Sequence, residues 1–245
     1  MLKLYIDRGN TALKWQLVKH SMLVDEAVFS NDVALSEGLA ELAKLSLCSI
    51  YVSSVASNDF CQQLTAWAKE NGQPIPVFVE STREAGGVIN AYKEAGQLGV
   101  DRWLAMIAAR SVYAGMLCVV DSGTALTMDF ILENGEHLGG VIVPGATLMQ
   151  HSLLNNTQKI HITDTLNNKL LGRNTSEAVV FGIEQMLQVF VREKVAEIER
   201  EHNKKATVIL TGGHAKVLAK GLSTDVYLEK DLVLQGLKIL SKDYK

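Results

Sequence analysis

Ile6-Asp7-Arg8-Gly9-Asn10-Thr11 and Val120-Asp121-Ser122-Gly123-Thr124 stand about half the chain apart and read as one construction used twice. Each follows a short apolar run, residues 2–6 and 116–120. Each carries an aspartate, a glycine two residues on, and then a threonine. Each leads into an alternating apolar and polar run, the period of a half-buried strand. The pattern is a strand, a tight turn and a hairpin, repeated as a supersecondary unit rather than as a short sequence repeat. A lone Asp-x-Gly is an ordinary turn; two in matching strand contexts suit a phosphate clamp. Glycine lets backbone N–H groups approach an anion, threonine adds a hydroxyl donor, and an aspartate at a strand end is placed to hold a cation or its water. Two such turns facing each other would grip a polyphosphate from both sides.

Outward from these turns the chain alternates helix and strand. Helical spacing is expected over residues 34–47, 59–70, 101–113, 175–201, 213–220 and 231–240. Strands are expected over 12–19, 22–29, 48–55, 76–79, 125–132, 137–143, 207–210 and 226–228. Asn134-Gly135 is a hairpin signal and Gly72 a helix stop. Only three prolines occur, and no flexible linker divides the halves. Two lobes are expected, 1–115 with the first phosphate turn and 116–245 with the second.

The chain has 245 residues, 47% hydrophobic and 21% charged, with 24 basic and 27 acidic side chains and a net charge of −3. This is the composition of a globular protein. The acidic balance argues against nucleic-acid binding, which favours a basic excess. No apolar run approaches the roughly 18–20 residues of a membrane helix, and Asp7 and Arg8 interrupt the first apolar stretch too early for a signal peptide. Cys48, Cys61 and Cys118 show neither zinc spacing nor a disulfide framework. A cytoplasmic protein with no membrane partner is expected, so Asn155-Asn156-Thr157 and Asn174-Thr175-Ser176 are chance glycosylation matches. There is no GxxxxGK[ST], GxGxxG or HExxH, so any ATP site is neither a P-loop nor a Rossmann site.

Three more segments narrow the reading. They are Gly99-Val100-Asp101-Arg102, Gly139-Gly140-Val141-Ile142-Val143-Pro144-Gly145 and Thr211-Gly212-Gly213. The paired Asp-x-Gly turns resemble the phosphate motifs of the acetate and sugar kinase, heat-shock cognate and actin superfamily. With the three further segments in this order, the chain resembles the type III pantothenate kinases over about residues 2–240. The resemblance implies an α/β fold of duplicated ribonuclease H-like (actin-like ATPase) lobes, each a mixed sheet flanked by helices. It implies ATP-dependent phosphorylation of pantothenate to 4′-phosphopantothenate, the first step of coenzyme A biosynthesis. Magnesium would arrive with ATP, and the family is homodimeric.

The resemblance also implies roles for residues. Asp101 is the general base; by its place at a helix start it also reads as a cap. Gly99, Val100 and Arg102 contact pantothenate, the guanidinium of Arg102 suiting its carboxylate, and Tyr92 and Thr175 join them. Thr175 sits in Asn174-Thr175-Ser176-Glu177, which also reads as a helix cap. Asp7, Arg8, Gly9, Asn10, Thr11, Ala12, Leu13 and Lys14 correspond to the ATP-phosphate stretch, with Thr124 in the second turn. Lys14 reads equally as an exposed hairpin lysine, and Arg8 as a phosphate contact or the partner of an acid. Thr211-Gly212-Gly213 resembles an adenosine-binding turn, beside which His214 opens a helix. Asp121 matches the site of a monovalent cation, potassium or ammonium. His137, His151 and His161 show no ligand spacing. After Thr157 the chain reads Gln158-Lys159-Ile160-His161 where the family has a Leu-Pro-like continuation. Two other readings share the fold, a non-catalytic transcription accessory factor and a kinase of another small alcohol.

Overall fold

The computed structural model describes residues 1–56, 58–156, 171–222 and 226–242. The segment Gln158-Lys159-Ile160-His161 lies outside them. The chain divides into two compact units, Met1–Val112 with Asp231–Lys245, and Tyr113–Lys230.

The first unit opens with β1 (Leu2–Arg8), β2 (Ala12–Lys19) and β3 (Met22–Ser30), an antiparallel meander as the alternation requires. A single turn, α1 (Leu35–Gly38), and a 3-10 turn, Leu42–Lys44, replace the helix expected over 34–47. The cause lies at Gly38, where a side chain would strike the ring of Phe29. The glycine admits that ring, and as a poor helix former it ends the turn. β4 (Leu47–Ser54), α2 (Asn58–Glu70) and β5 (Val77–Phe78) follow. A small hairpin of β6 (Glu84–Ala85) and β7 (Val88–Ile89) turns at Gly86 and Gly87, both with positive φ, the pairing a two-residue hairpin favours. Helix α3 (Val100–Val112) closes the segment.

The second unit repeats the plan with β8 (Met116–Ser122), β9 (Ala125–Ile131) and β10 (His137–Pro144). Then come α4 (Ala146–Asn156), α5 (Thr175–His202), β11 (Ala206–Thr211), α6 (Ala215–Lys220) and β12 (Val226–Leu228). The last helix, α7 (Leu232–Leu240), belongs to the first unit, whereas the sequence suggested that the second half runs to the chain's end.

The two sheets have the same order among the described residues, β3-β2-β1-β4-β5 and β10-β9-β8-β11-β12. In each, three antiparallel strands continue into two parallel ones. This is a duplicated mixed-sheet α/β fold, and the two Asp-x-Gly turns occupy the same topological place, at the carboxyl end of the central strand. Ligands of α/β sheets bind at such ends.

One face of the first sheet buries Leu4, Ile6, Leu13, Ile50 and Val52 against α2 residues Phe60, Leu64 and Trp67. The opposite face is more polar. There Tyr5 stacks on Tyr51 at 5.5 Å and its hydroxyl meets Ser241 Oγ at 3.1 Å, just beyond α7. Helix α3 is buried on nearly every side, as its apolar run demands, and packs on α7 and β4. In the second unit Val120, Leu126, Met128 and Leu210 bury against α5 residues Ile183, Leu187 and Val191.

Candidate active site

β1 ends with Asp7 half-buried at the strand exit. The turn then folds back, Gly9 N–H donating to the Ala12 carbonyl at 3.1 Å. Asn31 braces it, its Nδ2 donating to Gly9 O at 3.1 Å and its N–H to Thr11 O at 3.0 Å. Asn10 and Thr11 are exposed at the tip. Arg8 lies with its guanidinium 5.3 Å from the Phe60 ring centre and Nη1 3.5 Å from Gly9 O. Burial pushes its pKa down. Ala12 and Leu13 begin β2, Leu13 in the core. Lys14 pairs across the ladder with Asp7, and its Nζ stands 3.6 Å from Asp231 Oδ1.

The equivalent turn of the second unit is one residue shorter. Gly123 N–H donates to Ala125 O at 3.0 Å. Two glycines from distant segments close on it. Gly145 N–H donates to Thr124 O at 2.9 Å, and a side chain at Gly145 would collide with the Gly123 and Thr124 carbonyls. Gly212 has φ +93, and a Cβ there would strike Asp121 Oδ1 and stand 2.6 Å from Ser122 O. Only glycine fits this approach. His214 N–H then donates to Ser122 O at 3.0 Å. The Asp-x-Gly, Gly-Gly-x-Ile-x-Pro-Gly and Thr-Gly-Gly segments are therefore brought together around Asp121 and Thr124. Beside them is a partly open cleft lined by Ser122, Ala146, Glu184, Gln188 and His214 among others. Glu184 and Gln188 were not singled out from sequence.

A third group lies in the first unit. Gly99 O accepts the Trp103 N–H at 3.0 Å, so Gly99 caps α3 and Asp101 sits inside its first turn rather than at the cap. Asp101 Oδ1 takes the Arg102 N–H at 2.8 Å, and a Cβ on Gly99 would stand 2.6 Å from that oxygen. Val100 is buried and anchors the turn. Arg102 is 6% exposed, and its Nη1 donates to Tyr92 Oη at 3.1 Å. Tyr92 is held by Asn90, a residue the sequence reading missed. The Asn90 Oδ1 accepts the Tyr92 N–H at 2.9 Å, and its Nδ2 donates to Thr82 O and Ala95 O, each at 3.1 Å. Tyr92, Gly99, Asp101 and Arg102 thus form one cluster.

Thr175 is exposed as the first residue of α5. The cap itself is Asn174, whose side chain accepts the Glu177 N–H at 2.9 Å, while Glu177 Oε2 accepts the Arg173 N–H at 2.8 Å. His137 pairs with Asp129 at 3.0 Å, both buried. No cluster of three or more His, Cys, Asp or Glu suited to a metal ion occurs among the described residues, and no described helix is long and apolar enough to cross a membrane.

Residues 3–197 match the profile of the type III pantothenate kinase family. The chain belongs to that family. Relatives named type III pantothenate kinase include one from Pseudomonas fluorescens (strain Pf0-1), 36% identical with 96% of each chain covered. Another, from Hahella chejuensis, is 34% identical with 98% of each covered. The type III pantothenate kinase fold also resembles more distant solved structures. A Campylobacter jejuni protein assigned to a Baf family of transcriptional activators gives a TM-score of 0.62 at 19% identity, over 98% of both chains. Component A of (R)-2-hydroxyglutaryl-CoA dehydratase from Acidaminococcus fermentans gives 0.52 at 13% identity, over 100% of both. These likenesses show the actin-like ATPase fold alone. As a type III pantothenate kinase the chain is an enzyme that phosphorylates pantothenate in coenzyme A biosynthesis.

Proposed function

We propose that this chain moves the γ-phosphoryl group of ATP onto the pantothenate hydroxyl with Asp101 as general base. The observation that carries this reading is the Tyr92–Asp101–Arg102 cluster, a half-buried carboxylate in the first turn of α3 that accepts the Arg102 N–H, followed by an arginine whose guanidinium is tied to a tyrosine hydroxyl. The hydroxyl oxygen bonds to the γ-phosphorus as the bond to the β,γ-bridging oxygen breaks. The Asp101 carboxylate orients the alcohol and accepts its proton late, which the loose transition state of phosphoryl transfer permits at an ordinary carboxylate pKa. ADP departs with the bonding pair. Arg102 binds the pantothenate carboxylate, and Tyr92, Gly99, Val100 and Thr175 complete the acceptor contacts.

ATP phosphates meet the residues Asp7 to Lys14, with Thr124 in the second turn. Adenosine meets the Thr211-Gly212-Gly213 turn, next to which His214 lines the cleft. Like other kinases, the enzyme uses ATP with a divalent ion, which neutralises phosphate charge. A potassium or ammonium ion at Asp121 fits the oxygen donors there, a half-buried carboxylate at a strand end packed against Gly212 and the Ser122 backbone. A weakly held monovalent cation adds charge neutralisation without octahedral demands. We further infer a cytoplasmic homodimer; Met186 and Val189, exposed apolar residues of α5, support a subunit contact. The deciding test is ADP release by purified protein supplied with ATP, pantothenate, magnesium and potassium. Pantothenate-dependent turnover is expected, and its absence overturns the reading.

A further inference from the structure

Lys14 is not left to wander on its hairpin. Its Nζ stands 3.6 Å from Asp231 Oδ1, and the other oxygen of the same carboxylate lies 3.5 Å from Gln16 Nε2. Gln16 is 6% exposed and is fixed in turn, its Nε2 donating to Glu26 Oε2 at 2.7 Å and its Oε1 accepting from Lys238 Nζ at 2.5 Å. Lys14 and Gln16 are two apart on β2 and share a face, so one carboxylate reaches both. Asp231 is only 12% exposed at its side chain, and it opens α7 in the left-handed conformation at φ 57. Such a backbone persists when surrounding contacts hold it. Nothing in the sequence marked Asp231, which is far from the phosphate turn in the chain.

We propose that Asp231 is a positioning residue for the phosphate turn, holding Lys14 beside Asp7 so that the ammonium is in place before ATP binds. At 3.6 Å the contact is an ion pair rather than a hydrogen bond, so the three ammonium donors stay available to phosphate oxygens. A flexible lysine loses rotamer freedom on binding a ligand, and a lysine already held loses less. The proposal rests on the reading of Lys14 as an ATP-phosphate contact, and its test separates the two.

Steady-state constants for both substrates are measured on the full chain and on Lys14→Ala, Asp231→Asn and the double variant. Asparagine accepts positive φ as aspartate does, so Asp231→Asn removes charge and keeps the backbone. Asp231→Gly relieves the backbone and also lacks the carboxylate, and serves if the asparagine variant is unstable. The expected result for either single Asp231 variant is an ATP KM raised roughly fivefold, about what a partly buried ion pair supplies. The pantothenate KM stays unchanged, and the substitution has no added effect in the Lys14→Ala background. A purely structural role would instead lower Tm without this split. A raised ATP KM in Lys14→Ala with an unchanged one in both Asp231 variants sinks the proposal alone. So does an undiminished Asp231 effect in the double variant. An unchanged ATP KM in Lys14→Ala removes the phosphate role of Lys14 and the proposal with it.

Discussion

Asp101 is the residue on which chemistry and structure compete most directly. Its carboxylate already accepts one of the α3 N–H groups that no helical carbonyl can satisfy, at 2.8 Å through Arg102. Asparagine keeps an acceptor oxygen and the same shape, so the helix start survives, but an amide cannot take the substrate proton. Asp101→Asn is therefore expected to keep ATP binding and Tm while kcat falls by about a hundredfold or more, the usual worth of a general base. Turnover close to wild type in that variant would rule out the assignment. The cluster around Asp101 was legible in part. The Gly-x-Asp-Arg segment marked Asp101 and Arg102, and the family resemblance alone marked Tyr92. Asn90 was not marked, because its role is to bond three backbone groups of its own loop, and a lone asparagine carries no spacing that reveals this.

At the scale of elements, periodicity located most strands and helices to within a residue or two. It failed where packing overrode it. The segment 34–47 has helical spacing, yet the Phe29 ring occupies the space beside Gly38 and the helix stops after one turn. Helix α4 was missed for the opposite reason. Its apolar residues Leu148 and Leu153 are exposed and form no stripe toward a core. Helix α7 was found, but not its neighbour. It crosses α3 so closely that a Cβ on Gly236 would collide with the Leu104 carbonyl. Gly236→Ala cannot be absorbed by a flexible side chain, since the obstacle is backbone. Overpacking of this kind costs about 1–3 kcal/mol. The variant is expected to lower Tm by several degrees despite alanine's better helix propensity. An unchanged or higher Tm by calorimetry would show that the crossing has slack.

Across the whole molecule, the chain enters the second unit at Tyr113 and leaves it after Lys230. Tyr113 Oη donates to Glu229 Oε1 at 2.5 Å, and its ring packs on Tyr227 at 4.9 Å, so entry and exit are clasped together. Burial, and then the bond to Glu229, push the Tyr113 phenol up to about 12. In the unfolded chain a tyrosine titrates near about 10. Between those values the unfolded chain has released a proton that the folded chain keeps, so stability must fall as pH rises. The contribution is complete below the unfolded value and is lost as pH climbs through the folded one. Urea midpoints at about pH 9 and about pH 11 are expected to drop more for wild type than for Tyr113→Phe. Equal drops would mean that the clasp does not form.

The sequence by itself determined the duplication, the strand exits at Asp7 and Asp121, and the motif segments on which the proposed chemistry rests. Those follow from local causes: the period of two in a strand, the glycine a tight turn needs, and the short-range order of the motifs. The tertiary structure alone decided which distant residues meet. It set Gly145 and Gly212 against the second Asp-x-Gly turn, gave α7 to the first unit, and placed Asp231 at Lys14. An apolar stripe such as Leu232, Leu237 and Leu240 says that a helix must bury one face. It does not say against what, because hydrophobic burial has no direction and any apolar partner satisfies it. Only close packing, where a single Cβ at Gly236 has no room, selects the partner.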